Sequence, residues 1–284
     1  MTNQLFINNE FIESQSKETM DVINPATGEA FDTITLATEE EVNDAIEKSQ
    51  QAQLEWERVP QPTRAEHVKL LIPLLEKNRD EIAQLYVKEQ GKTLAQAYGE
   101  IDKSISFIDY MTSLSMSDKG RVLQNSIANE TIQIINKPIG VTAGIVPWNA
   151  PILVLMRKVI PAIVTGCSVV IKPSEETTLL TLRLAELFRA STIPAGLIQI
   201  VPGTGETVGT QLASHKDIQL ISLTGSMRAG KSVYENAAQT VKKVNLELGG
   251  NAPVIVTSNA DLDKAVDYIV TARINNACLL YTSD

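Results

Sequence analysis

At 284 residues, 43% apolar and 21% charged, the chain has the composition of a folded globular protein with room for one large domain or two ordinary ones. A net charge of −9 without a long basic run argues against nucleic acid or an anionic membrane as partner. Cys167 and Cys278, like His67 and His215, are too scattered to form a disulfide framework or a metal site.

The opening residues MTNQLFINNE lack a basic-then-apolar signal, so a cytoplasmic protein is expected. Residues 4 to 36 alternate polar and apolar around Asn8-Asn9 and Pro25-Ala26-Thr27-Gly28, which predicts edge hairpins. Thr38-Glu39-Glu40-Glu41 is a capping box that starts a helix carrying Val42, Ala45 and Ile46. Helices are expected over about 62–91 and 94–116, the first kinked or broken near Ile72 because Pro73 lacks an N–H. Residues 121–137 return to strand chemistry around an Asn129 turn, and a protruding two-stranded assembly ribbon is expected there.

The centre of the chain is residues 140–175. A short apolar run, Val141 to Val146, ends in Pro147-Trp148-Asn149 and reads as a buried strand. Pro151 to Thr165 reads as a buried helix closed by Gly166, too short to span a bilayer and carrying Arg157 and Lys158. Ser168 to Ile171 is a second strand that leads into Lys172-Pro173-Ser174-Glu175. The alternation continues: helix Thr178 to Ala190, strand Leu197 to Val201, helix Val208 to His215, strand Ile218 to Leu223 and helix Ala229 to Thr240. Strands Val244 to Leu248 and Val254 to Val256 follow, then a helix from Asp261 to Arg273. This order predicts an α/β fold, a doubly wound parallel sheet of Rossmann type with N-terminal helices and the ribbon. Such sheets bind ligands beyond the carboxyl ends of their strands, so the site belongs on that rim.

Residues 225–232, GSMRAGKS, fit the phosphate-loop pattern GxxxxGK[ST] between a strand and a helix. A phosphotransferase would use Lys231 and Ser232 there, but no strand ends in a magnesium-holding aspartate. The same turn can instead hold a dinucleotide pyrophosphate on a helix N-terminus, or simply be a glycine-rich turn with Lys231 solvated.

Four blocks now stand in order: Pro147-Trp148-Asn149; Lys172 to Glu175; Thr224-Gly225-Ser226 with Gly230; and Glu247-Leu248-Gly249-Gly250. Together they resemble the successive signatures of the NAD(P)-dependent aldehyde dehydrogenase family, over about Leu5 to Ala277. The overall texture is most similar to bacterial lactaldehyde and glycolaldehyde dehydrogenases. The resemblance implies that Lys172 and Glu175 grip the adenosine ribose of the cofactor, a carboxylate there favouring NAD over NADP. It implies that Ser226 contacts the pyrophosphate, with Gly225 and Gly230 permitting close approach, that Gly209 falls where a helix packs against the adenine and that Trp148 lines the crevice. It makes Asn149 the oxyanion donor and Glu247 the general base that activates water. A small aldehyde substrate and a homo-oligomer are implied for full-length members. Lys158 either points toward the same pocket or snorkels to the surface, the second being favoured. Cys167 reads as a small core residue.

The resemblance breaks at the nucleophile. The family's thiolate lies in a Gly-Gln-x-Cys motif after an Asn-rich helix end, which residues 273–277 match. By register that cysteine position is Tyr281, and Cys278 sits three residues early. The expected organisation is therefore an NAD-binding domain over 1–248 and the start of a truncated catalytic domain over 249–284, with an atypical tail at 278–284. Such a chain would not turn over aldehyde; a non-catalytic dinucleotide-binding fragment is the first rival and the phosphotransferase the second.

Overall fold

The computed structural model describes residues 4–117, 120–127 and 129–282, the side chains of residues 275 and 277–282 excepted. Two hairpins open the chain: β1 (Gln4–Ile7) with β2 (Glu10–Glu13), and β3 (Thr19–Asn24) with β4 (Glu29–Thr35). Helix α1 (Glu39–Trp56) starts on the expected capping box. Thr38 Oγ1 accepts from the Glu41 N–H at 3.2 Å, and Glu41 Oε2 accepts from the Thr38 N–H at 2.8 Å. Such a cap stabilises a helix start by about 1 kcal/mol.

The segment expected as a helix kinked or broken near Ile72 is broken there, and again at Asn78, into α2 (Gln61–Lys69), α3 (Leu71–Lys77) and α4 (Arg79–Gln90). Pro73 explains the first break, because its ring displaces the carbonyl four residues earlier, at Lys69, where α2 ends. Gly91, at φ 81, stops α4 in the left-handed conformation that glycine alone adopts freely. Helix α5 (Leu94–Ser115) follows, and then the ribbon of β5 (Arg121–Gln124) and β6 (Thr131–Ile134), every residue of which is exposed.

The remaining elements alternate. They are β7 (Val141–Ile145), α6 (Pro151–Val164), β8 (Ser168–Lys172), α7 (Thr178–Ala190) and β9 (Ile198–Ile200). A π-turn over Gly205–Gly209 leads into α8 (Thr210–Ser214), followed by β10 (Leu220–Gly225), α9 (Met227–Ala238) and β11 (Lys243–Leu248). The sheet runs β11-β10-β7-β8-β9-β1-β2, parallel from β11 to β9, with β1 antiparallel to β9 through Phe6 and Ile200. One apolar cluster, including Val159, Ile163, Ile171, Leu184 and Phe188, joins α6 and α7 to one face. A second, including Val42, Ile46, Val170, Leu212 and Val233, joins α1, α8 and α9 to the other. This is the doubly wound arrangement expected, and the strand order reverses between β7 and β10.

The last segment differs from expectation twice. Residues 254–256 form no strand; Val254, Ile255 and Val256 are 50%, 87% and 43% exposed. An apolar run becomes a strand only where a partner accepts its hydrogen bonds, and the sheet ends at β11. Helix α10 (Leu262–Thr282) runs past Arg273, since no glycine or proline follows to stop it. Cys278 and Tyr281 fall on this helix, and their side chains lie outside the described residues. Among the described residues no helix is long and apolar enough to cross a membrane, and no group of His, Cys, Asp or Glu could hold a metal ion.

Candidate functional site

A cavity of about 360 Å³ opens at the reversal point, with Ile145 of β7 and Leu223 of β10 on its floor. Gly209, Ala213 and Val233 add apolar wall, while Glu206 and Ser226 supply polar groups. Its size suits a small-molecule ligand, and its place is the one that open α/β sheets use for binding. Ser226 is the N-cap of α9, its hydroxyl accepting from the Ala229 N–H at 3.2 Å, so the positive end of a helix faces this space. Residues 227–232 are helical from the second residue after Gly225, which leaves no loop to wrap a phosphate. Lys231 instead lines a shallow groove with Met227, Tyr234 and Leu246. The phosphotransferase geometry is thus missing.

Gly230 faces that second groove, where a Cβ would lie 2.7 Å from Leu248 Cδ2; the glycine lets α9 press on β11. At Gly209, which lines the cavity, a Cβ would meet Ile145, Lys172 and Thr204 at an ordinary 3.8 Å, so protein packing alone does not require a glycine there.

Beside the cavity, Lys172 at the end of β8 is 2% exposed. Its Nζ lies 3.2 Å from Glu175 Oε2 and donates to the Pro173 carbonyl at 2.9 Å. Burial lowers its pKa, partly opposed by the Glu175 charge. Glu175 Oε1 accepts from the Gly205 N–H at 3.1 Å, which ties β8 to the π-turn. Each carboxylate oxygen keeps a lone pair for a further donor.

The second cluster lies at the ends of β7, β10 and β11. Lys158 does not snorkel: its Nζ donates to Ser222 Oγ at 2.9 Å and to Thr224 Oγ1 at 3.2 Å. Gly144 makes room for its stem, since a Cβ there would sit 3.0 Å from Lys158 Cδ. Burial pushes the Lys158 pKa down to about 8, with Glu247 pulling the other way. The apolar helix sequence suggested a surface escape, but the facing β10 hydroxyls offered a nearer partner. Glu247 is exposed, and Trp148 is 46% exposed and outside the cavity wall.

Asn149 is half-buried, and its Oδ1 is buried without a hydrogen-bond partner among the described residues. Its backbone carbonyl accepts from Asn276 Nδ2 at 2.9 Å and from Lys92 Nζ at 3.3 Å. Lys92, Glu100 and Tyr86 form a buried polar cluster behind it that reading the sequence missed. The signal was present: Glu100 falls on the buried face of α5 with Ala97, Ile101, Ser104 and Ile108. A carboxylate at such a position needs a partner.

Fold and cavity together define a doubly wound α/β protein with a cavity at the carboxyl rim of its sheet. The sequence carries this further: the aldehyde dehydrogenase family model matches residues 11–278, and the chain belongs to that family. It is 37% identical over 273 residues to a glutarate-semialdehyde dehydrogenase of Pseudomonas putida, covering 96% of this chain and 57% of the relative. The lactaldehyde dehydrogenase structure from Escherichia coli superposes with a TM-score of 0.93 at 36% identity, covering 95% of this chain and 57% of that one. A betaine aldehyde dehydrogenase from Staphylococcus aureus, in complex with NAD+, gives 0.92 at 34% identity, covering 96% and 55%. The likeness to lactaldehyde dehydrogenases stands beside an equal one to semialdehyde dehydrogenases. The chain spans about 57% of the length of the curated relatives it matches.

Proposed function

We propose that this chain binds NAD in the groove between β7 and β10 and belongs to an enzyme that oxidises an aldehyde to a carboxylic acid. The observation that carries the reading is the 360 Å³ cavity, with Gly209 and Ile145 on its wall and the α9 N-terminus and Ser226 at its edge. The residues fit the cofactor. An apolar wall suits an adenine, the helix N-terminus a pyrophosphate, and Lys172 with Glu175 the ribose hydroxyls. Gly225 leaves the turn open, Gly230 seats α9, and Trp148 stands outside the cavity at the exposed end of β7. Residues 1–248 form the binding domain in this reading, and residues from 249 onward begin the catalytic region.

When bound, NAD accepts hydride. The chain's own groups would do the rest. The Asn149 carboxamide donates to the oxygen that becomes negative as a thiolate adds to the aldehyde carbon. Glu247, exposed at the end of β11, takes a proton from the water that hydrolyses the acyl intermediate. Lys158, held near Glu247 by Ser222 and Thr224, keeps positive charge at the same rim. The thiolate itself has no counterpart at Tyr281, so the chain binds cofactor without oxidising substrate. A cytoplasmic location and a small aldehyde as substrate follow from the same reading, with assembly through the ribbon.

Calorimetric titration of the 284-residue chain with NAD tests the binding claim. Saturable binding, lost in Gly209→Leu with its melting transition retained, is expected. A folded chain that takes up no NAD would overturn the assignment.

A further inference from the structure

The loop that carries Asn149 is held by an unusual set of contacts. Above it, the Val146 N–H donates into the sheet, to the Lys172 carbonyl at 3.0 Å. Below it lies a hollow of about 320 Å³ lined by Lys92, Gln96, Glu100, Ala150, Leu153 and Asn276. Close packing cannot fix a loop against a hollow. What crosses the gap is polar.

Helix α6 begins without a side-chain cap of its own, because its N-cap residue is Ala150. Glu100, reaching over from α5, supplies one: its Oε1 accepts from the N–H groups of Ile152 and Leu153, each at 3.1 Å. Its Oε2 takes the Lys92 ammonium and the Tyr86 hydroxyl, the latter at 2.7 Å. Lys92 is 3% exposed and Glu100 6%. A buried pair of this kind adds little net stability over apolar side chains of the same volume. Its hydrogen bonds, however, have direction. Lys92 spends its remaining donor on the Asn149 carbonyl, the atom that Asn276 also holds.

We infer that Lys92 and Glu100 are positioning residues for Asn149. They hold its peptide and the first turn of α6 so that the carboxamide keeps one direction, and Asn276 brings α10 to the same atom. The inference rests on Asn149 being the oxyanion donor.

The test is NMR on the isotopically labelled chain, with the Asn149 side-chain amide pair assigned through Asn149→Ala. In Lys92→Met the pair should move by several linewidths, and Lys92→Arg should restore it. In Glu100→Gln, exchange of the Ile152 and Leu153 amide protons should quicken by about tenfold, the loss of one charged hydrogen bond. NAD affinity should stay within about twofold in all three variants, because none of these residues borders the cofactor groove. An unmoved Asn149 pair in folded Lys92→Met overturns the inference. So does unfolding of both Lys92→Met and Glu100→Gln, or a parallel fall in NAD affinity, either of which makes the cluster structural. Failure of the native chain to bind NAD would defeat the proposed function, while the Asn149 signals would still decide the positioning.

Discussion

Lys158 Nζ and Ser222 Oγ lie 2.9 Å apart, so a lysine from an apolar helix ends inside the carboxyl rim of the sheet and not in solvent. Its pKa of about 8 lies below the ordinary lysine value of 10.5. Between those pH values the unfolded chain binds more protons than the folded one, so this group makes stability rise with pH. Below pH 8 its cost is constant. Urea unfolding of the native chain and Lys158→Met at pH 7, 9 and 10.5 should show a difference on the order of 2 kcal/mol that closes as pH rises. A difference independent of pH would mean that the ammonium is solvated.

Glu175 is the test of cofactor choice. Its carboxylate is joined to Lys172 and the Gly205 N–H, and in the proposed reading it sets a negative charge where NADP would bring a 2′-phosphate. NAD should bind more tightly than NADP, and Glu175→Thr should narrow the gap by about tenfold. Calorimetry that finds NADP preferred by the native chain would remove Glu175 from the ribose site.

The ribbon should govern solution behaviour. Cross-strand register places Leu123 opposite Ile132 and Arg121 opposite Ile134, so Leu123, Ile132 and Ile134 share a face that is 39% to 44% exposed. Non-specific association of the chain is expected, relieved in Leu123→Lys with Ile132→Glu and read by light scattering. A native chain that runs as a clean monomer with a sharp melt would contradict this.

Turnover should be absent. In the proposed reading Asn149 and Glu247 assist steps that begin with thiolate attack, and a phenol at position 281, with an ordinary pKa of about 10, is a poor acyl carrier. NADH formation from glycolaldehyde, lactaldehyde and a simple aliphatic aldehyde should stay at background. Ordinary turnover that disappears in Cys278→Ser would show that Cys278 is the nucleophile.

Much of the fold was legible because its signals are local. The Thr38 capping box and the apolar spacing of Thr178 to Ala190 fix helices with neighbours only three or four residues away. The βαβ order of residues 141–172 likewise announces a parallel sheet, and a cavity does open on its rim. What escaped depends on partners distant in sequence. Lys158 turned inward because Ser222 and Thr224 face it, and residues 254–256 stayed unpaired because no strand among the described residues meets them. The Lys92–Glu100 cluster took its meaning from Asn149 and the start of α6, beyond the reach of any local pattern.

The antiparallel pairing of Phe6 with Ile200 also sets a timetable for biosynthesis. Strand β1 cannot join the sheet until β9 has followed it from the ribosome. At about 5–20 residues per second that is a wait of roughly 10–40 s, during which Leu5, Phe6 and Ile7 have no core to enter. A nascent chain in that interval offers an apolar hairpin to any holding chaperone, and ribosome pausing just before residue 200 would lengthen the exposure. This edge of the sheet therefore closes only once β9 is available, long after β1 itself was made.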